Sequence, residues 1–148
     1  MASRTYTTKR TFIGRLSNGS DLYESIAKFC QYEDIQIGRI TAIGAVKNAA
    51  VAYYDQRRKK YGTVKFKKEM EILSCLGNVS LKEGKPFVHV HIALADNKGK
   101  VFGGHLMPGT TVFACELFIE ELEGKPLDRN LDEKSGLTLW AADSVLAP

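Results

Sequence analysis

The chain has 148 residues, 44% hydrophobic and 26% charged, with a formal net charge of +4. That length suits one domain whose core holds itself without disulfide staples. The composition excludes disorder, collagen and coiled coil as whole-chain descriptions, and no apolar run approaches the ~20 residues a bilayer span needs.

In chain order, residues 5–16 read as a first strand and Ser17-Asn18-Gly19 as turn chemistry. A helix follows, capped by Ser20 or Asp21, with Asp21 and Glu24 spaced as a capping-box-like pair. Leu22, Ile26, Phe29 and Cys30 fall at i, i+4, i+7 and i+8, one apolar stripe that ends near Tyr32 and packs on a sheet. Residues 38–46 and 49–55 are β-rich and flank Lys47-Asn48, which reads as a tight turn. Residues 61–68 alternate, with Val64 and Phe66 on one face and Lys65 and Lys67 on the other. The stretch 70–81 begins as a strand around Ile72 and Leu73, and its serines and glycine fit a curved or bulged segment. Residues 86–95, 100–106 and 111–122 read as further strands. Residues 127–148 are looser, with a short strand at 137–140. The expectation is a single α+β domain over 1–148, with its core at about 5–122 and a C-terminal extension over 123–148. Its frame is a mainly antiparallel sheet with one main helix.

The polar segment 1–10 lacks the apolar core of a secretory signal, so the expected location is cytoplasmic with no membrane partner. Cys30, Cys75 and Cys115 are odd in number and far apart, and each sits in an apolar stretch; they read as buried core thiols.

The charge is uneven. Residues 57–68 carry seven basic side chains (Arg57, Arg58, Lys59, Lys60, Lys65, Lys67, Lys68) and no acidic one. The other 14 basic residues face 17 acidic ones, so the rest of the chain is −3. With Tyr53, Tyr54, Tyr61 and Phe66 nearby, this segment has the makings of a nucleic-acid footprint. The alternative is a solvated hairpin whose lysines blunt a sheet edge.

The chemistry-bearing residues cluster in one hairpin. All three histidines, His89, His91 and His105, lie in the stretch 87–106. In a strand, His89 and His91 share a face, while Val88, Val90, Ile92 and Leu94 take the other. A two-residue loop, Asn97-Lys98, would place His105 opposite Val90, on the wrong face. A three-residue loop, Asn97-Lys98-Gly99, pairs Asp96 with Lys100 and puts a glycine where a left-handed residue is wanted. His105 then lies opposite His91 and diagonal to His89, provided Gly103 and Gly104 carry no bulge. Three imidazoles and an open position form the pattern of a ligand-exchanging site for zinc or a related divalent ion. The alternative is three polar residues on a half-exposed strand face. Glu116 and Glu71 are the candidate fourth ligands or acid/base groups, or else salt-bridge partners. Cys75 and Cys115 are softer candidates for the same place. No phosphate-cradling loop, dinucleotide fingerprint, HExxH or nucleophile-elbow motif occurs.

The segments RLSNGSDLYESI, ITAIGAVKNAAVAYYD, MEILSCLGNVS and GKPFVHVHIALADNKGKVFGGHL, with the CEL at 115–117, resemble the plants and prokaryotes conserved (PPC) domain family. The resemblance covers about residues 5–122. It implies a compact α+β domain that forms a homotrimer. Plant members add AT-hooks and bind DNA in the nucleus; this chain has no RGRP core and keeps the three histidines that plant members tend to lose. It therefore resembles the prokaryotic stand-alone branch. The wider fold group is similar to acetolactate decarboxylase, whose zinc is held by an HxH pair and a later histidine, a pattern that falls on His89, His91 and His105. Two functions follow from the resemblance and the residues together. One is a DNA-associated regulatory module. The other is a zinc-dependent lyase or hydrolase on a small oxygenated substrate, with Glu116 or Glu71 as acid or base. A purely structural ion is a third option, with a neighbouring copy in the trimer able to supply a fourth ligand.

Overall fold

A computed structural model describes residues 5–141. In chain order it contains β1 (Thr7–Leu16), α1 (Leu22–Tyr32), β2 (Gly38–Asp55), β3 (Lys60–Phe66), β4 (Met70–Lys82), β5 (Lys85–Ala95), β6 (Val101–Leu106), β7 (Thr111–Glu123), β8 (Arg129–Asp132) and β9 (Leu137–Trp140). Seven strands form one sheet in the order β1-β7-β2-β4-β5-β6, with β3 added to β2, and β8-β9 form a separate ribbon. Every paired strand within the two sheets is antiparallel. A single antiparallel-sheet domain with one helix is the expected α+β architecture.

The helix forms where its stripe and cap place it. The Asp21 carboxylate accepts from the Glu24 N–H at 2.9 Å and also from the Gly109 N–H at 2.6 Å, so the cap ties the helix start to the loop before β7. Leu22, Ile26 and Cys30 are fully buried, and Phe29 meets Phe12 of β1 edge to face at 5.2 Å. Each buried Leu or Ile contributes about 1.5–3 kcal/mol of burial free energy. The other wall of the core comes from inward residues of the sheet, among them Ile40, Ile72, Val90, Leu94, Leu106 and Ile119. Cys30, Cys75 and Cys115 lie in this core as free thiols, and burial pushes them up to about 12, 12 and 11.

Strand β2 corrects the sequence reading. Lys47-Asn48 is not a turn, and the two expected strands are one run of 18 residues. The pairing of β2 with β7 is irregular between Ala45 and Val46 and between Val46 and Asn48. Asn48 bonds sideways to Thr111 and Lys47 reaches Asn18, so polar residues that resemble a turn serve a bend instead. Beyond the bend β2 leaves β4 and β7 and pairs with β3 and, at Val51↔Leu106 and Ala52↔His105, with β6. Strands β2, β4, β5 and β6 thereby close on one another, and the sheet curls. The expected bulge in β4 lies between Ile72 and Ser74. The loose C-terminal stretch holds β9 where a short strand was expected and also β8, which was not.

One face of the sheet packs on the core. The other carries a row in register across six strands: Ile13, Phe118, Thr41, Leu76, His91 and His105. Ile13 is 70% exposed, Leu76 53% and Phe118 41%. The histidines therefore stand on an open, partly apolar face.

Candidate metal centre

The β5–β6 hairpin has the three-residue loop. Its register runs Ala95↔Val101 to His91↔His105 without a shift, so Gly103 and Gly104 introduce no bulge. The loop is held by Asp96. Its backbone N–H donates to Lys100 O at 3.0 Å and its backbone O accepts from Gly99 N–H at 2.9 Å. Its carboxylate accepts from the N–H groups of Lys98 and Lys100 and from Lys68 Nζ at 2.7 Å. Lys68 first, and those N–H donors with it, hold this carboxyl down to about 2 although desolvation works to raise it. Gly99 takes φ +73°, the left-handed conformation the loop requires.

His89, His91 and His105 converge. Their ring centroids are 5.1, 5.0 and 5.5 Å apart, and one nitrogen of each lies within 4.8 Å of the others. Zinc–imidazole bonds of about 2.0–2.1 Å need nitrogens roughly 3.3 Å apart, so small rotations close the set on one ion. Three features fit the group to a cation. His105 Nδ1 is buried with no hydrogen-bond partner among the described residues, an orphaned polar atom on one of the three rings. Burial first, then Arg129 and the other two histidines, push His89 down to about 4. Burial, then His91 and Arg129, lower His105. Neutral imidazoles are the form a metal takes. His105 is gripped on both sides, by His91 of β5 and Ala52 of β2, with the Tyr61 ring at 5.5 Å.

The two candidate carboxylates stand elsewhere in the chain. Glu116 shares the open face with the histidines but lies on β7, with β2 and β4 between it and β5. Three strand spacings amount to about 14 Å. Glu71 pairs with Ala95, four residues along β5 from His91, or about 13 Å away, and lines a separate cavity with Glu69 and Asp96. Within one chain neither joins the cluster. Cys75 and Cys115 point to the core.

Arg129 of β8 is a site residue that sequence reasoning missed. It is 8% exposed, donates to Ser80 Oγ, Asn78 Oδ1 and Thr138 O, and lies over the rings of Phe87 and Trp140. It lines a cavity of about 330 Å³ together with His89, His105, Tyr61 and Lys82. Nothing in RNLD distinguishes Arg129 from a surface arginine, and it stands 40 residues beyond His89.

The basic residues 57–68 occupy the β2–β3 hairpin and the chain just after it, all exposed. Lys68 is engaged by Asp96, Lys59 donates to Glu133 O, and Arg58 lies 3.8 Å from Asp55. Arg57, Lys60, Lys65 and Lys67 have no side-chain ion pair among the described residues.

A family model for the Plants and Prokaryotes Conserved (PCC) domain, the PPC family named above, matches residues 3–123. The chain belongs to this family. Among solved structures, a metal-containing protein from Archaeoglobus fulgidus is 42% identical, with a TM-score of 0.89 over 95% of this chain and 99% of that one. A PPC protein from Pyrococcus horikoshii is 39% identical, also at 0.89, over 95% and 97%. A protein from Ralstonia eutropha described as a "Putative DNA-binding protein" is 25% identical at 0.80, over 92% and 94%. A curated relative, the bifunctional protein GlmU of Synechococcus, is 30% identical over 105 residues. The PCC chain spans only 16% of that relative's length and 18% of a second GlmU's. Among the described residues, no helix is long and apolar enough to cross a membrane.

Proposed function

We propose that this PCC-domain protein holds one divalent ion, zinc by ligand type, on His89, His91 and His105, and that a small molecule reaches the ion through its open position. The observation that carries this reading is the convergence of one ring nitrogen from each of three imidazoles within 4.8 Å, and His105 also has a buried Nδ1 with no hydrogen-bond partner among the described residues. A similar protein that is itself metal-containing supports it. Bound there, zinc supplies Lewis-acid polarisation of an oxygen or an acidified water. The chain's own part is to hold three imidazoles on one hairpin beside a cavity. Any lyase or hydrolase chemistry draws its acid or base from outside the three histidines. Glu116 and Glu71 serve only if a neighbouring copy brings one of them in. A homotrimer, with the apolar open face as its contact, is the assembly we propose for that. The test is metal content per chain by elemental analysis, beside His91→Ala. About one ion per chain, lost in the variant, is the expected result. No metal in either protein after zinc is supplied overturns the reading.

We also propose a second role in DNA association, because four exposed cations in and just after the β2–β3 hairpin have no ion-pair partner among the described residues and a similar protein carries a DNA-binding description. Anisotropy titration with a duplex gives affinity that falls steeply with salt, and Lys65→Ala with Lys67→Ala lowers the slope by about two units. Absence of binding at low salt removes this role.

A further inference from the structure

The cavity beside the histidines is walled by a buried charge that no carboxylate among the described residues neutralises. Arg129 is more than nine-tenths buried, yet no carboxylate among the described residues pairs with it. Its three hydrogen bonds go to neutral oxygens, on Ser80, Asn78 and Thr138. A guanidinium has five N–H donors, so two remain. A buried cation without a counter-ion is costly, and a ligand anion removes that cost. Lys82 lines the same cavity, lies over the Phe87 ring at 5.6 Å, and likewise has no ion pair among the described residues. Among the described residues no acidic one lines it. The rest of the wall is largely apolar, with Phe87, Met107, Leu137 and Leu139, and His89 and His105 close one side. At about 330 Å³ the space suits a small molecule and not a polymer.

We propose that this cavity binds a small organic carboxylate, held by Arg129 and Lys82, with its carbon body against Phe87, Leu137 and Leu139 and a second oxygen toward the three histidines. The apolar wall favours an organic acid over an inorganic anion, which would leave that surface unused. Arg129 lies beyond residues 3–123 that the family model matches, so the β8-β9 ribbon brings the cation to a site that the family hairpin frames. The proposal rests on the metal-centre reading for the second oxygen only; the Arg129 contact stands without a metal.

The experiment titrates the intact chain, zinc-loaded and chelator-stripped, with butyrate, 2-hydroxybutyrate and inorganic phosphate. Binding is read by calorimetry and by the methyl NMR signals of Leu137 and Leu139. Both carboxylates are expected to bind saturably and more tightly than phosphate. The 2-hydroxy acid should gain over butyrate only when zinc is loaded. Arg129→Gln should weaken both carboxylates about ten- to hundredfold. Lys82→Gln should weaken them several-fold, and it decides the matter if the Arg129 variant fails to fold. Butyrate binding through Arg129 in a protein that takes up no metal supports the carboxylate site while the metal-centre reading falls. No saturable carboxylate binding, equal binding by both folded variants, or phosphate bound at least as tightly as butyrate overturns the proposal.

Discussion

A methyl group at Gly103 tests whether the hairpin register makes the metal centre. A Cβ built there sits 2.4 Å from Ile92 O, on the neighbouring strand, where real Cβ atoms essentially never come closer than 3.0 Å. Backbone cannot swing aside as a side chain can, so β5 and β6 must part by at least 0.6 Å, from 3.0 − 2.4. The His91↔His105 pair lies two residues along the same ladder. Gly103→Ala should therefore cost about 1–3 kcal/mol by overpacking, or roughly 3–10 °C in Tm for a domain of this size. It should also weaken zinc binding about ten- to hundredfold, the usual cost of disturbing what orients metal ligands. Gly14→Ala is the control: nothing lies within 4 Å of its Cβ, and it sits on β1, away from the hairpin. It should be neutral or slightly stabilising, since alanine restricts the unfolded chain more than glycine does. Urea denaturation gives the stabilities, and competition with a zinc chromophore gives the affinities. A Gly103→Ala protein that loses stability but binds zinc as the parent does would refute the link between register and site.

Two further outcomes follow from the same structure. Glu121 is 4% exposed, and although burial works to raise its carboxyl, hydrogen bonds from Arg10 and Lys9 outweigh it and leave it below the ordinary 4.5. A depressed folded value means the contribution is complete above the unfolded value and is lost as pH falls from about 4.5 through the folded one. Glu121→Gln should lower Tm at neutral pH, and the gap to the parent should close in acid; a gap independent of pH in calorimetry would show that the ion pairs contribute nothing. Leu76→Lys places a charge in the middle of the exposed apolar row, so sedimentation should show the parent as a trimer and the variant shifted to monomer, whereas an unchanged mass would move the contact to another face.

The hairpin was legible because its determinants are local. Loop length, Gly99 and the period of two fix which side chain faces which, and the capping Asp96 lies inside the same few residues. The helix was legible for the same reason, from Asp21 and the stripe Leu22, Ile26, Cys30. The continuity of β2 was not. A polar Lys-Asn pair between β-rich runs is ordinary turn chemistry, and what keeps it extended is tertiary: Thr111, Asn18 and the change of partners from β4 to β6. That long strand matters to the site, because its far half supplies Ala52, the second wall against His105.

The two glutamates show where reading by face runs out. Period two assigns a residue to a side of the sheet, and on that test Glu116 and Glu71 qualify, since both are exposed on strands whose inward neighbours are buried. Strand order is a separate fact, set by which non-local ladders form, and it puts two strands between Glu116 and the histidines. Arg129 is the converse. Its sequence neighbourhood is that of a loop, yet the β8-β9 ribbon folds over β4 and sets it against Asn78 and Ser80, with the Asn78 backbone paired to His89. A search for acid or base in this molecule thus has two places to look: the cavity that Arg129 roofs, and the open face of a neighbouring copy. Metal loading of Phe118→Lys, on the same exposed row but with two strands between it and His91, and expected to break the proposed trimer, separates them. A centre complete within one chain keeps its ion as a monomer, and a centre completed by a neighbour loses affinity in step with dissociation.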